Sequence, residues 1–193
     1  YDPVEPARVA DALGRLAEHS LLAPVTSAGG TRYHALEPVR QFAAARLDAE
    51  ADGDGGGAHR RHLGWCLTEA AGLDRANTAE PEWQAAIDAA ADEFRAALAW
   101  SAALSAQQAD AGRQADAAQQ ADAGRLAATF SGLLFTRGRL REAQQRYEQA
   151  AVLASDPAAA ARALECAAAT AKIRTAGDEA LRHSLAQAIE APG

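Results

Sequence analysis

Apolar residues recur at helical spacing twice near the start of the chain. Val9, Leu13 and Leu16 stand four and three apart and predict a helix over 6–19. Pro6 suits the first helical position, where its missing N–H has no helical partner to lose. Leu21 to Val25 is a short apolar stretch and Thr31 to Leu36 alternates weakly. Between them Thr26-Ser27-Ala28-Gly29-Gly30 reads as a turn, because paired glycines reach positive φ without a steric penalty. Glu37 and Pro38 then open a helix with Val39, Phe42, Ala43, Arg46 and Leu47 in register. The first fifty residues thus read helix, hairpin, helix. A two-stranded hairpin is barely stable alone and must lie against helices.

Asp52 to Gly57 (DGDGGG) predicts a flexible linker and a domain boundary, so the chain divides into 1–50, a linker over 51–57, and 58–193. Everything after it reads as helix. One helix is expected over about 58–77, with Leu63, Cys66 and Leu67 on its apolar face. A second starts at Pro81 and carries Ile87, Ala90, Phe94 and Leu98. Trp65, Trp83 and Trp100 are expected to pack between adjacent helices. The heptapeptide QQADAGR at 107–113 returns at 119–125 without one large apolar residue, so 107–125 reads as an expanded, partly helical connection. Helices over about 125–136, 139–155, 158–175 and 178–190 complete the pattern.

Composition sharpens the fold class. Of 193 residues 55 are alanine, against five valines and three isoleucines. Alanine is the best helix former and β-branched residues are the strand formers. The expectation is an all-α protein with one small β-hairpin, its helices packed closely through small residues. The formal net charge is −7, which argues against a general nucleic-acid binder. Cys66 and Cys166 form no disulfide framework and suit a reducing, cytoplasmic setting. No apolar run approaches the ~20 residues of a membrane helix, so no membrane association is expected. The chain has no methionine, which leads us to expect a piece of a longer protein.

Two stretches resemble known families. Residues 124–157 resemble a tetratricopeptide repeat, a helical hairpin of about 34 residues. With Ala143 at the small position of the second helix, Gly138 falls on the turn, Leu140 and Tyr147 on the aromatic positions, and Ala150 on the later alanine. Pro157 closes the unit. Ala127 and Ser131 depart from the usual Trp and Gly. The following unit, 158–191, is degenerate. The second resemblance covers most of the chain: SLLAPVTSAGGTRYHALEPVRQFAAARL (20–47), RRHLGWCL (60–67), EWQAAIDAAADEFRAALAWS (82–101) and FTRGRLREAQQRYEQAAVLA (135–154). In this order they look like STAND-class (NB-ARC-like) bacterial signalling ATPases, often fused to SARP-type or LuxR-type transcription factors. That resemblance implies that 1–50 is the C-terminal part of a winged helix and 58–193 a tetratricopeptide-like helical-repeat array.

The same resemblance implies ATP or ADP bound by a domain upstream of Tyr1. No phosphate loop is present here: Gly53 to Gly57 has no strand before it and no Lys-Ser/Thr after it. The chain alone is therefore expected to bind neither ATP nor ADP at micromolar concentration, as a calorimetric titration would show. Relatives of the family sense the ADP phosphate through a histidine in the winged helix. The matching positions here are Ala35, Leu36 and Glu37, so Leu36 occupies the nucleotide-sensor position and cannot donate a hydrogen bond. His59, His62 and Cys66 share one helix face, but no fourth ligand is near, and a packing face is the stronger reading of them. In the predicted first helix Arg8, Arg15 and His19 are offset by Asp11 and Glu18, against direct DNA binding by this piece. No catalytic constellation is recognisable.

The functional expectation is a regulatory and sensor fragment without catalytic residues or a cofactor of its own. Its repeats would receive a protein or small-molecule inducer, and the winged helix would pass the signal to the nucleotide-binding domain within the same protein. Homo-oligomerisation would belong to the intact regulator. The alternative is a helical-repeat scaffold that binds a partner peptide or protein with no switch. On the repeat register, the concave face takes Arg125, Ala128, Gly132, Phe135 and Thr136, with Arg137 at its end. Arg125, Phe135 and Arg137 are the candidate groove, in which an aromatic between two arginines grips an acidic or aromatic group. The plain reading is that Phe135 packs near Trp100 and the arginines are solvated.

Overall fold

The structure, a computed structural model, describes residues 5–27, 30–49, 56–76, 78, 80–110, 112 and 116–190. These fall into two compact units, Tyr1–Gly57 and Ala58–Gly193. The predicted turn at 28–29 and the linker at 51–55 lie outside the described residues, as do 111 and 113–115 of the repeated heptapeptide region.

In the first unit, helix α1 (Pro6–Glu18) leads into an antiparallel hairpin of β1 (Leu22–Ser27) and β2 (Gly30–Ala35), and α2 (Glu37–Ala49) follows. Proline sits first in α1 as expected. The helix ends at Ser20, whose φ of 57° turns the chain and lets the Leu21 N–H donate to the Leu16 carbonyl at 2.9 Å. That is a Schellman closure made by a serine. Leu22 pairs with Ala35 and Ser27 with Gly30, the register a two-residue loop demands. Pro24 is tolerated because both strands of a two-stranded hairpin are edges. Val9, Leu16, Leu21, Val25, Leu36 and Phe42 are all exposed, Phe42 by 67%. Every buried residue of the described chain lies in the second unit.

The elements described in the second unit are all helices: α3 (Gly56–Ala76), α4 (Pro81–Asp110), α5 (Ala117–Thr136), α6 (Leu140–Leu153) and α7 (Pro157–Glu190). Neighbouring helices run antiparallel, as their contacts show. Trp83 donates Nε1–H to the Leu73 carbonyl at 2.7 Å, the Cys66 thiol reaches the Glu93 carbonyl, and Trp100 stacks on His59. Residue numbers fall along α3 as they rise along α4. Likewise Gly124 lies against Leu153 and Gly132 faces Tyr147 across α5 and α6. A Cβ on Gly124 would sit 3.2 Å from the Leu153 Cβ and carbonyl oxygen, so this glycine permits the close approach of the two helices. The core is continuous from Leu63 and Cys66 through Ile87, Phe94 and Leu98 to Leu126, Phe130 and Leu134. Phe94 and Phe130 meet edge to face, 5.2 Å between centroids, with both side chains fully buried.

Caps explain the helix ends. Asp116 accepts from the Ala118 and Gln119 N–H groups to open α5, and Asp156 from those of Ala158 and Ala159 to open α7, with Pro157 first in that helix. Gly138 closes α5 with φ 69°, and the Arg139 N–H returns to the Leu134 carbonyl at 2.9 Å. No atom lies within 4 Å of a Cβ placed there, so the demand on this residue is conformational rather than steric. Gly138→Ala is therefore expected to cost about 1–2 kcal/mol, the left-handed penalty of an L-residue. Chemical denaturation checks it; an unchanged midpoint would mean that the turn relaxes freely.

Three expectations need correction. Helices predicted over 158–175 and 178–190 are one helix, α7. Gly177 weakens it by about 1 kcal/mol relative to alanine, but no proline or cap accompanies the glycine to end it. The region 107–125 is less of a connection than expected. Helix α4 runs on to Asp110 and α5 begins at Ala117, since alanine and glutamine extend helices even with no apolar face. Trp65 does not pack between helices: it is 48% exposed and stacks on His62, unlike the buried Trp83.

Candidate functional site

The candidate groove residues all belong to α5 and its C-terminal turn. Arg125 and Phe135 are ten residues apart, about 15 Å along the helix axis. They therefore occupy different ends of one surface. Arg125 is exposed and pairs with Asp122 one turn earlier. Across from it stands α3, and the two helices bound an open cleft of about 510 Å³. Its walls are Leu67, Thr68, Ala71 and Arg75 from α3, with Arg125 and Thr129 from α5. Two arginines thus flank a lining of one leucine with small and hydroxyl-bearing residues. Such an arrangement suits a ligand with an acidic group and a slender body. Arg75 and Thr68 carry no sequence signal of this role, because nothing in the chain's periodicity says which face of α3 turns toward α5.

Phe135 is 37% exposed at the far end of α5. Arg137, beyond it, is drawn to α4. Its NH2 lies 2.7 Å from Asp88 Oδ2, and its NH1 donates to Gln84 Oε1 at 2.7 Å. The hydrogen bonds from Arg137 hold the Asp88 carboxyl below the usual carboxylate range. This guanidinium therefore works as a tie between the α5–α6 turn and α4. The structure does not bring Arg125, Phe135 and Arg137 to one point.

A second tie is stronger. Arg95 on α4 donates from Nε and NH2 to the two carboxylate oxygens of Glu142 on α6, at 2.7 and 2.9 Å. Its guanidinium also lies 5.8 Å from the Phe130 ring centroid. The Glu142 carboxyl is held below its usual range, chiefly by these hydrogen bonds and against its partial burial. A depressed native carboxyl stabilises the fold fully above its unfolded value of 4.5, and that contribution is lost as pH falls through the native one. The urea midpoint is accordingly expected to drop below about pH 4.5, and Glu142→Gln to shrink the drop. An equal drop in that variant would assign the acid lability elsewhere.

Leu36 joins β2 to α2, half exposed, and its carbonyl accepts the Arg40 N–H at 2.9 Å. The His59, His62, Cys66 face is divided among different neighbours. His59 stacks on Trp100 at 4.8 Å, while His62 Nε2 lies 2.9 Å from Glu93 Oε2 and 3.6 Å from Cys66 Sγ. Burial, with Glu93 nearby, pushes the Cys66 thiol up to about 12, so it is no thiolate nucleophile at neutral pH. Among the described residues no group of three or more potential ligands could hold a metal ion, and no helix is long and apolar enough to cross a membrane. No protein-family model, no curated protein and no solved structure matches this chain.

Proposed function

We propose that the chain is the regulatory part of a STAND-type signalling ATPase, with a tetratricopeptide-like sensor over 58–193 and the end of a winged helix over 1–50. One observation carries this reading. The second unit closes a core of its own, whereas the first exposes Val9, Leu16, Leu21, Val25, Leu36 and Phe42. Apolar residues held out on a helix–hairpin–helix favour a partner surface that takes them out of water. On this reading that surface is the nucleotide-binding domain of the same protein. The repeat assignment is supported by burial at four of its register positions, Ala127, Ser131, Ala143 and Ala150, with Leu140 and Tyr147 partly buried. The α3–α5 cleft is where the array offers a signal room to bind.

The test uses the product of the complete reading frame. Leu16→Asp with Phe42→Asp is expected to leave the folding of the helical unit unchanged while altering nucleotide retention and the response to the signal. A double variant that keeps both would refute the coupling role and leave the scaffold reading.

A further inference from the structure

The molecule is acidic overall, yet one of its open clefts is lined by four arginines. It lies between the first turns of α6 and residues 173–178 of α7, with a volume of about 690 Å³. Arg139, Arg141, Arg146 and Arg174 line it, four of the 19 basic residues of the chain. The acidic residues of the same cleft are Glu142 and Asp178. Glu142 is already held in a two-point pair by Arg95 from α4, with Arg139 and Arg146 more distant at 3.6 and 4.0 Å. Asp178 lies 3.6 Å from Arg174. The cationic charge is therefore only partly answered.

The hydrogen bonding of two of these arginines points to an anionic ligand. The Nε atoms of Arg146 and of Arg174 are both out of contact with solvent, and neither has a hydrogen-bond acceptor. A guanidinium N–H removed from water with no acceptor is unfavourable, and the two belong to residues of one cleft. Burial holds the Arg146 guanidinium below its usual range, against the pull of Glu142, while its NH1 donates to Gln149 Oε1 at 2.8 Å. The remaining lining is apolar or small: Leu140, the half-exposed Ile173, Gly138 and Gly177. The volume lies within the range of small-molecule sites.

We infer that this cleft binds an amphiphilic organic anion, whose carboxylate or phosphate is gripped by Arg141, Arg146 and Arg174 while its apolar body lies on Leu140 and Ile173. Arginine is suited to this task, because its planar fork meets both oxyanions at two points. The inference goes beyond the proposed function: it adds a ligand site separate from the α3–α5 cleft.

The experiment titrates the full 193-residue chain with 2-naphthoate, 2-naphthyl phosphate and the neutral 2-naphthamide, by calorimetry. One anion or both is expected to bind with one-to-one stoichiometry, at least tenfold more tightly than the amide and more weakly as salt rises from 50 to 300 mM. The tighter of the two anions identifies the head group. Arg141→Glu with Arg174→Gln is expected to weaken binding at least tenfold, with Tm measured beside it because Arg174 is partly buried and paired with Asp178. Absence of binding by both anions, equal binding of the amide, or undiminished binding by the double variant would each overturn the inference. This readout needs only the chain itself, so its failure leaves the nucleotide-switch reading standing, and the failure of that reading leaves the site standing.

Discussion

Phe130→Ala is expected to lower the stability of the helical unit by about 3–5 kcal/mol, more than truncation of any of its aliphatic neighbours. Phe130 is fully buried and meets Phe94 edge to face, so both transfer energy and a specific aromatic contact are lost. It also supports Arg95, whose guanidinium lies over the ring. Surrounding alanines on α4 and α5 cannot reach across the space left behind, since methyl groups have no alternative rotamers. Phe130→Leu keeps most of the volume and should cost about 1 kcal/mol or slightly more. Equilibrium denaturation of both variants checks the pair. Equal, small losses would mean that α4 and α5 close on the cavity and that packing at this point is not specific.

Arg95→Met is expected to cost about 1–3 kcal/mol, between the value of an exposed pair and that of a buried one. The Arg95 and Glu142 side chains are 28% and 20% exposed, so the pair is shielded but not dry. Removing Arg95 leaves the Glu142 carboxylate to Arg139 and Arg146, which lie farther away. The double variant Arg95→Met, Glu142→Leu should recover part of the loss, because the shielded Glu142 carboxylate is then no longer left without its main partner. A double-mutant cycle with no coupling energy would show that α4 and α6 are held by packing alone.

Much of this architecture was legible in the chain. Period-3.6 apolar residues around Leu13 and Phe42, and the glycines at 29–30, sufficed for helix, hairpin, helix. The turn at Gly138 was expected from the resemblance to a tetratricopeptide hairpin, and its positive φ is what a helix end requires. Helix ends within 107–125 and near 177 were not legible. Long alanine runs have no large residues whose period could mark a face or its end, and they extend helices by propensity alone. Trp65 was misplaced for the same reason: among small neighbours a tryptophan's spacing does not say whether it points inward. The ties that matter most to the site, Arg137 to Asp88 and Arg95 to Glu142, join residues almost fifty apart. Pairs of that kind leave no local signal, and neither does the placing of Arg146 and Arg174 along one cleft from two helices.

Restraint of a nucleotide switch is the role proposed for this chain. It is tested most directly by the nucleotide content of the protein purified from the complete reading frame, with and without residues 58–193. The account predicts stoichiometric ADP in the intact protein and faster ADP release once the helical unit is removed. An intact protein that carries no nucleotide and binds none when ATP or ADP is added would contradict it.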